Sequence, residues 1–195
     1  MVVSRTEGDV TASSLEPPPV ALRPMTHADF GDLLRWRREP HVACWFAETG
    51  PVTPDLIEQR YGPRIRGDEP TRMFVVTVDE RPVGFLQDYR IKDHPGFAVL
   101  APEPDAIGVD YSIGEPTWIR RGVGLRMLRR WFDVARAGYP DAATYFAAPD
   151  HRNIASRRLL LKAGFVEGIW FDEPQRDGST ATVVGHSLDV PSVLG

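Results

Sequence analysis

The spacing of apolar positions changes period along the chain, and each change predicts a new element. An apolar run at residues 21–25 predicts a strand; Thr26 then offers an N-cap, with Asp29 in the first turn of a helix reaching about Arg38. Thr53 repeats the signal, with Pro54 at the first helical position and Asp55 and Glu58 behind it, so a second helix runs toward Arg66. Cys44, Trp45 and Phe46 fall in the loop between them. Residues 73–78 and 83–91 carry the β-branched and aromatic content of strands around turn chemistry at 79–82, which predicts a hairpin. After a loop at 93–104, a strand at 106–113 leads through Gly122 and Gly124 into a long helix. There Gly124, Met127, Leu128, Trp131, Phe132 and Ala135 form one face, and Arg126, Arg129, Arg130, Asp133 and Arg136 the other. A strand at 143–147, a helix from an Asn153 cap through Ala163 to a Gly164 stop, and two strands at 166–172 and 180–189 around Asp177 and Gly178 complete the chain.

This order predicts an α/β chain of mixed α+β type: a mixed, mostly antiparallel sheet with helices on both faces. The 195 residues fit one domain at 20–195, after a polar tail at 1–19 that ends in three prolines and is expected to be disordered. A net charge of −4 argues against nucleic acid or an anionic membrane as partner and leaves room for a cationic small molecule. Cys44 is the one cysteine, so no internal disulfide forms, and the five histidines show no metal-ligand spacing, so no metal is expected. With no basic and apolar leader and no run approaching about 20 apolar residues, a cytoplasmic protein is expected. Monomer and homodimer fit equally.

The most informative local pattern is the strand at 106–113 followed by Arg120, Arg121, Gly122, Val123 and Gly124 at the start of a helix. Glycines let consecutive amides converge, and the positive end of the helix dipole then favours a phosphate; a plain tight turn reads the same five residues equally well. The segment resembles the acetyl-CoA pyrophosphate loop of GNAT N-acetyltransferases. Asn153, Lys162, Ala163, Gly164 and Phe165 resemble the block Asn-x-x-Ala-x-x-x-Tyr-x-Lys-x-Gly-Phe of that superfamily. The resemblance implies acetyl-CoA as cosubstrate, with Ile113, Arg120, Arg121, Gly122, Val123 and Gly124 on its side and Asn153 against its pantetheine arm. A plain helix cap explains Asn153 as well. Ile119 stands where many relatives have Gln or Arg, and Leu160 where many have a tyrosine that protonates the departing thiolate.

The stretch Asp110, Tyr111, Ser112, Ile113, Gly114, Glu115 and Pro116 resembles the Asp-x-x-Ile-Gly-Glu-Pro strand of aminoglycoside 6′-N-acetyltransferases, and the likeness spans about residues 20–190. His41, Val42 and Trp45 are similar to their aromatic loop, Glu58, Tyr61 and Pro63 to their second helix, and Gln87 and Tyr89 to the strand after the hairpin. By resemblance Asp110 is the catalytic carboxylate that orients an ammonium and accepts its proton, and Trp45, Tyr61, Gln87 and Asp110 contact the acceptor. An amine must lose a proton before attacking a thioester, and a strand-end carboxylate suits that task; an ordinary solvated carboxylate is the other reading. Glu48, Asp88, Glu103, Asp105 and Glu115 are further acids in loops or strand ends near the expected cleft of a polycation, and ordinary surface charge is the reading for most of them. Ala148 stands where some relatives carry another carboxylate. The implied reaction is acetylation of an aminoglycoside 6′ amine, conferring resistance. Alternatives are acylation of a metabolite amine such as a lysine-derived siderophore precursor, acetylation of a peptide N-terminus, or noncatalytic acetyl-CoA binding.

Overall fold

The computed structural model describes residues 17–94, 103 and 105–195; the tail expected at 1–19 and the loop expected at 93–104 lie largely outside them. One seven-stranded sheet organises the chain, in the order β1-β2-β3-β4-β5-β7-β6. Its strands are β1 (Val20–Pro24), β2 (Thr71–Val78), β3 (Arg81–Arg90), β4 (Ile107–Ile113), β5 (Thr144–Ala147), β6 (Val166–Pro174) and β7 (Thr180–Asp189). Every pairing is antiparallel except β4 with β5. In β2 the sequence alternates between two buried faces, which explains its unbroken apolar run. Met73 and Val75 pack with Leu33, Trp36, Ile57 and Tyr61 beneath helices α1 (Phe30–Arg38) and α3 (Pro54–Arg66). Phe74, Val76 and Val78 pack on the other face with Met127, Leu128 and Trp131 of α4 (Val123–Gly138) and Leu160 of α5 (Ile154–Ala163).

The local signals act as expected at several ends. Thr53 Oγ1 accepts from the Leu56 amide at 3.2 Å, Asn153 Oδ1 from the Ser156 amide at 3.1 Å, and Gly164 closes its helix at φ +101°. Elsewhere local structure departs from the pattern. The first helix opens with a 3₁₀ turn over His27–Asp29, and the Asp29 carboxylate serves Arg23 at 2.6 Å and the Thr26 amide at 2.8 Å; its pKa falls to about 2, chiefly through Arg23. The hairpin turn needs only Asp79 and Glu80, both left-handed at φ 51° and 63°, so β3 begins at Arg81. Two short helices were not signalled by the pattern: α2 (Pro40–Ala43), within the aromatic loop, and α6 (Val190–Leu194), capped by Asp189. Among the described residues, no helix is long and apolar enough to cross a membrane.

Two acids expected near the substrate are structural. Asp88 follows Gln87 on β3, so it points to the opposite face, where it is fully buried. There Arg72 binds it through two 2.7 Å bonds, Trp131 Nε1 donates at 2.8 Å and the Tyr139 hydroxyl at 3.2 Å. This carboxylate fixes the middle and the C-terminal end of α4 against the sheet. Glu115 accepts from Trp36 Nε1 at 2.8 Å and pairs with Arg35, tying α1 to the end of β4.

Candidate active site

β4 and β5 pair over only two residue pairs, Ile107 with Tyr145 and Gly108 with Phe146. Beyond them the sheet opens. The β7 residues that pair with β5 end at His186, while Thr180 to Val184 continue against β6 and meet the segment after β5 through a bridge between Val183 and Asp150, so the β6–β7 hairpin reaches past the end of β5 to overhang the gap. The result is a cleft of about 550 Å³ between Val109, Asp110, Tyr111 and Ser112 of β4, the segment after β5, α3, the Cys44–Ala47 loop and the hairpin. That volume suits a drug-sized ligand.

Asp110 stands on the cleft floor. Gln87, its cross-strand partner in register, donates from Nε2 to Asp110 Oδ2 at 2.7 Å, and Arg64 of α3 binds the Gln87 carbonyl oxygen. Tyr89, two residues along β3 on the same face, also hydrogen-bonds Asp110. Gly108 makes that reach possible: a Cβ there would lie 2.7 Å from the Tyr89 ring. Solvent reaches the Asp110 carboxylate through the mouth of the cleft, yet protein walls surround it. This enclosure raises its pKa above the usual aspartate value, against the lowering influence of Gln87, Arg64, Tyr89 and His94.

A second carboxylate was not anticipated. Glu173, near the end of β6, shares with Tyr89, Asp110 and Ala148 a side cavity of about 80 Å³. Burial pushes its pKa up to about 7, the Asp110 charge adds to the rise, and a hydrogen bond with Gln175 opposes it. The side cavity is lined by Ala148, the residue at the position where the resemblance looked for an acid, and Glu173 reaches that space from another strand. Of the acids expected around a polycation, Asp110 alone lines the cleft. Glu48 instead neutralises Arg37 and Arg60, and Asp105 pairs with Lys92 at 2.6 Å.

The other residues singled out from the sequence sit as follows. Trp45 lines the cleft and is 39% exposed. Tyr61 also borders it, but its ring is buried against Phe85 and its hydroxyl accepts from Arg37. Ile113 ends β4, its carbonyl 3.0 Å from His41 Nε2. Leu160 is fully buried in the core. Near it, the Tyr111 hydroxyl lies 2.8 Å from Ser156 Oγ across the opened sheet, and burial keeps that phenol protonated well past neutrality. At the start of α4, Arg120 and Gly122 adopt left-handed φ values of 60° and 72°, and no side chain caps the helix, so its first-turn amides are available to an outside acceptor. Arg120 and Arg121 are exposed beside them. Gly124 faces α5, where a Cβ would meet Leu159 at 2.8 Å. Among the described residues, no three His, Cys, Asp or Glu side chains are grouped as metal ligands.

A family model described as "Acetyltransferase (GNAT) domain" matches residues 25–172. The chain belongs to the GNAT acetyltransferases. It is an acetyl-CoA-dependent N-acetyltransferase, and solved relatives reproduce its fold at low identity. The aminoglycoside acetyltransferase AAC(6')-Ib in complex with coenzyme A superposes with a TM-score of 0.75 at 20% identity, over 90% of this chain and 99% of that one. An aminoglycoside N(6')acetyltransferase from Legionella pneumophila gives 0.67 at 15%, over 91% and 96%. A spermidine N-acetyltransferase chimera that includes the Vibrio cholerae enzyme gives 0.70 at 17%, over 90% and 98%. In this GNAT chain, what sequence reasoning missed is Glu173 and the arginines facing it. The dipeptide Glu173-Pro174 ahead of a Gly178 turn was the available signal, since a carboxylate at a hairpin end can overhang whatever the neighbouring strands leave open.

Proposed function

We propose that this enzyme acetylates the primary amine of a cationic small molecule held in the Asp110 cleft, in the cytoplasm. Acetyl-CoA supplies the activated acetyl group. The single observation that supports the reading is the placement of Asp110 and Glu173 together where the sheet opens. An incoming ammonium is attracted by both carboxylates. Asp110, oriented by Gln87 and Tyr89, positions it, and Glu173, with a pKa of about 7, is matched to accepting its proton near neutral pH. The nitrogen then bonds to the acetyl carbon as the carbon–sulfur bond breaks, and the sulfur leaves as a thiolate that takes up a proton. Tyr111, hydrogen-bonded to Ser156, is the hydroxyl placed to supply that proton, since Leu160 has none to give.

On the cosubstrate side, the uncapped amides of Val123 and Gly124, the left-handed Gly122 and the flanking Arg120 and Arg121 suit a diphosphate. Asn153 lines the cleft and Ile113 ends the strand of Asp110, which is compatible with the pantetheine side that the resemblance assigns to them. The acceptor suggested by the sequence is the 6′ amine of an aminoglycoside, in keeping with the carboxylates of the cleft and with Trp45 as a flat wall. A metabolite amine is the second reading, favoured by Arg60, Arg64 and Arg176, which line the same cleft. Thiol release from acetyl-CoA with kanamycin-type drugs, gentamicin-type drugs and lysine derivatives tests both. Asp110→Asn is expected to lower turnover by about 10²- to 10⁴-fold with coenzyme A affinity by calorimetry intact; unchanged turnover would remove Asp110 from the mechanism.

A further inference from the structure

The wall of the cleft facing α3 is strongly basic. Arg60, Arg64 and Arg176 all line it, and Arg37 lies buried behind. Their carboxylate partners are few: Glu48 serves both Arg37 and Arg60, and Glu69 meets Arg64 Nε at 3.1 Å. Four guanidiniums against two carboxylates leave two positive charges in excess. Among the described residues Arg176 has no hydrogen-bond or ion-pair partner, and its sequence neighbour Asp177, which lines the same cleft, accepts instead from the Ser179 amide at 2.9 Å and its hydroxyl at 2.6 Å. Arg176 is exposed at the cleft; partial loss of solvent and the charges of Arg60 and Arg64 lower its pKa against smaller opposing influences of Glu48 and Tyr61, so a third guanidinium is held near two others. A polycation would be repelled by this wall.

We infer that the acceptor amine also bears an anionic group, a carboxylate or phosphate, bound in a subsite formed by Arg176 with Arg64 and Arg60. The inference rests on the reading that the acceptor amine lies at Asp110, and it narrows that acceptor to a zwitterion. The cleft is then dipolar: carboxylates at Asp110 and Glu173 on one side, guanidiniums on the other, with Gln87 joining Arg64 to Asp110 between them. The anion of coenzyme A is a poor candidate for the subsite. The arginines lie toward the α3 face of the sheet, whereas the Gly122 turn opens α4, which packs on the opposite face.

Matched probes test this by binding, without turnover. Lysine and cadaverine differ only in a carboxylate, and phosphoethanolamine and ethanolamine only in a phosphate. Calorimetry on the intact enzyme is expected to show the anion-bearing member of at least one pair binding about tenfold tighter or more, with the pair that does so identifying the anion. Arg176→Gln is expected to bring that pair to near equality while coenzyme A affinity and melting temperature stay unchanged. Equal binding within both pairs by the wild type, a preference that survives in Arg176→Gln, or a parallel loss of coenzyme A binding in the variant would each overturn the inference, as would kanamycin binding more tightly than every probe. Thiol release, measured separately, decides the acetylation reading. A preference without thiol release from any amine leaves the anion subsite standing and defeats the proposed acceptor chemistry.

Discussion

Glu173→Gln separates what the cleft does for function from what it does for stability. In the fold the carboxyl titrates at about 7, against 4.5 for the free group. The folded state therefore prefers the protonated form: the penalty is absent below pH 4.5, grows as pH rises, and levels off above about 7. A rise of roughly 2.5 pKa units at 1.36 kcal/mol each corresponds to about 3 kcal/mol, trimmed to about 2 to 3 kcal/mol by the solvent Glu173 still meets. The neutral, nearly isosteric Gln removes it. The variant is thus expected to gain stability over the wild type by about 1 kcal/mol at pH 5 and about 2 to 3 kcal/mol at pH 8.5, or about 5 to 10 °C in melting temperature at the higher pH. Thermal melts by circular dichroism at both pH values measure the difference. The same variant should lose the limb of the kcat/KM profile near pH 7 and retain only a low turnover set by Asp110. A stability gap that does not change with pH, or a variant less stable than the wild type at pH 8.5, would refute the placement of Glu173 in a poorly hydrated site beside Asp110.

Other expectations follow from the scaffold. Asp88→Ala leaves Arg72, Trp131 and Tyr139 without their shared acceptor and should destabilise by about 3 to 5 kcal/mol, read from urea denaturation; a shift below 1 kcal/mol would show that the buried network contributes little. Gly114→Ala would place a methyl 2.0 Å from the Trp36 ring, so a loss of about 1 to 3 kcal/mol is expected, with Gly31→Ala, which meets nothing within 4 Å, as the neutral control. Tyr111→Phe keeps the ring and removes the hydroxyl beside Ser156. It should reduce kcat by about tenfold or more if that group protonates the thiolate, and an unaltered kcat assigns the proton to water.

Much of the fold was legible in the sequence because local rules decide it. The Thr53 and Asn153 caps, the Gly164 stop and the amphipathic stripe of α4 all depend on neighbours within a few residues. Asp110 was singled out differently, by the resemblance of its strand to Asp-x-x-Ile-Gly-Glu-Pro rather than by a local rule. Glu173 and Arg176 were missed, because the Glu173-Pro174 pair ahead of Gly178 marks a hairpin end but not the opening between β4 and β5 that this hairpin overhangs. The functions of Asp88 and Glu115 were misjudged on the same grounds: the partners that claim them, Trp131 and Trp36, are 43 and 79 residues away. Long-range packing assigned those acids, while the alternation of β3 alone could have separated Asp88 from Gln87.

The amide of Gln87 has only one productive orientation. Its oxygen must turn to Arg64 and its nitrogen to Asp110, and the reverse would set like against like at both ends. Whatever draws the guanidinium forward therefore tugs on the same rigid plane that steadies the carboxylate, and the two poles of the cleft move as one lever. On the proposed reading of the cleft, a ligand group that engages Arg64 would therefore bear on the carboxylate held at the other end of the same amide.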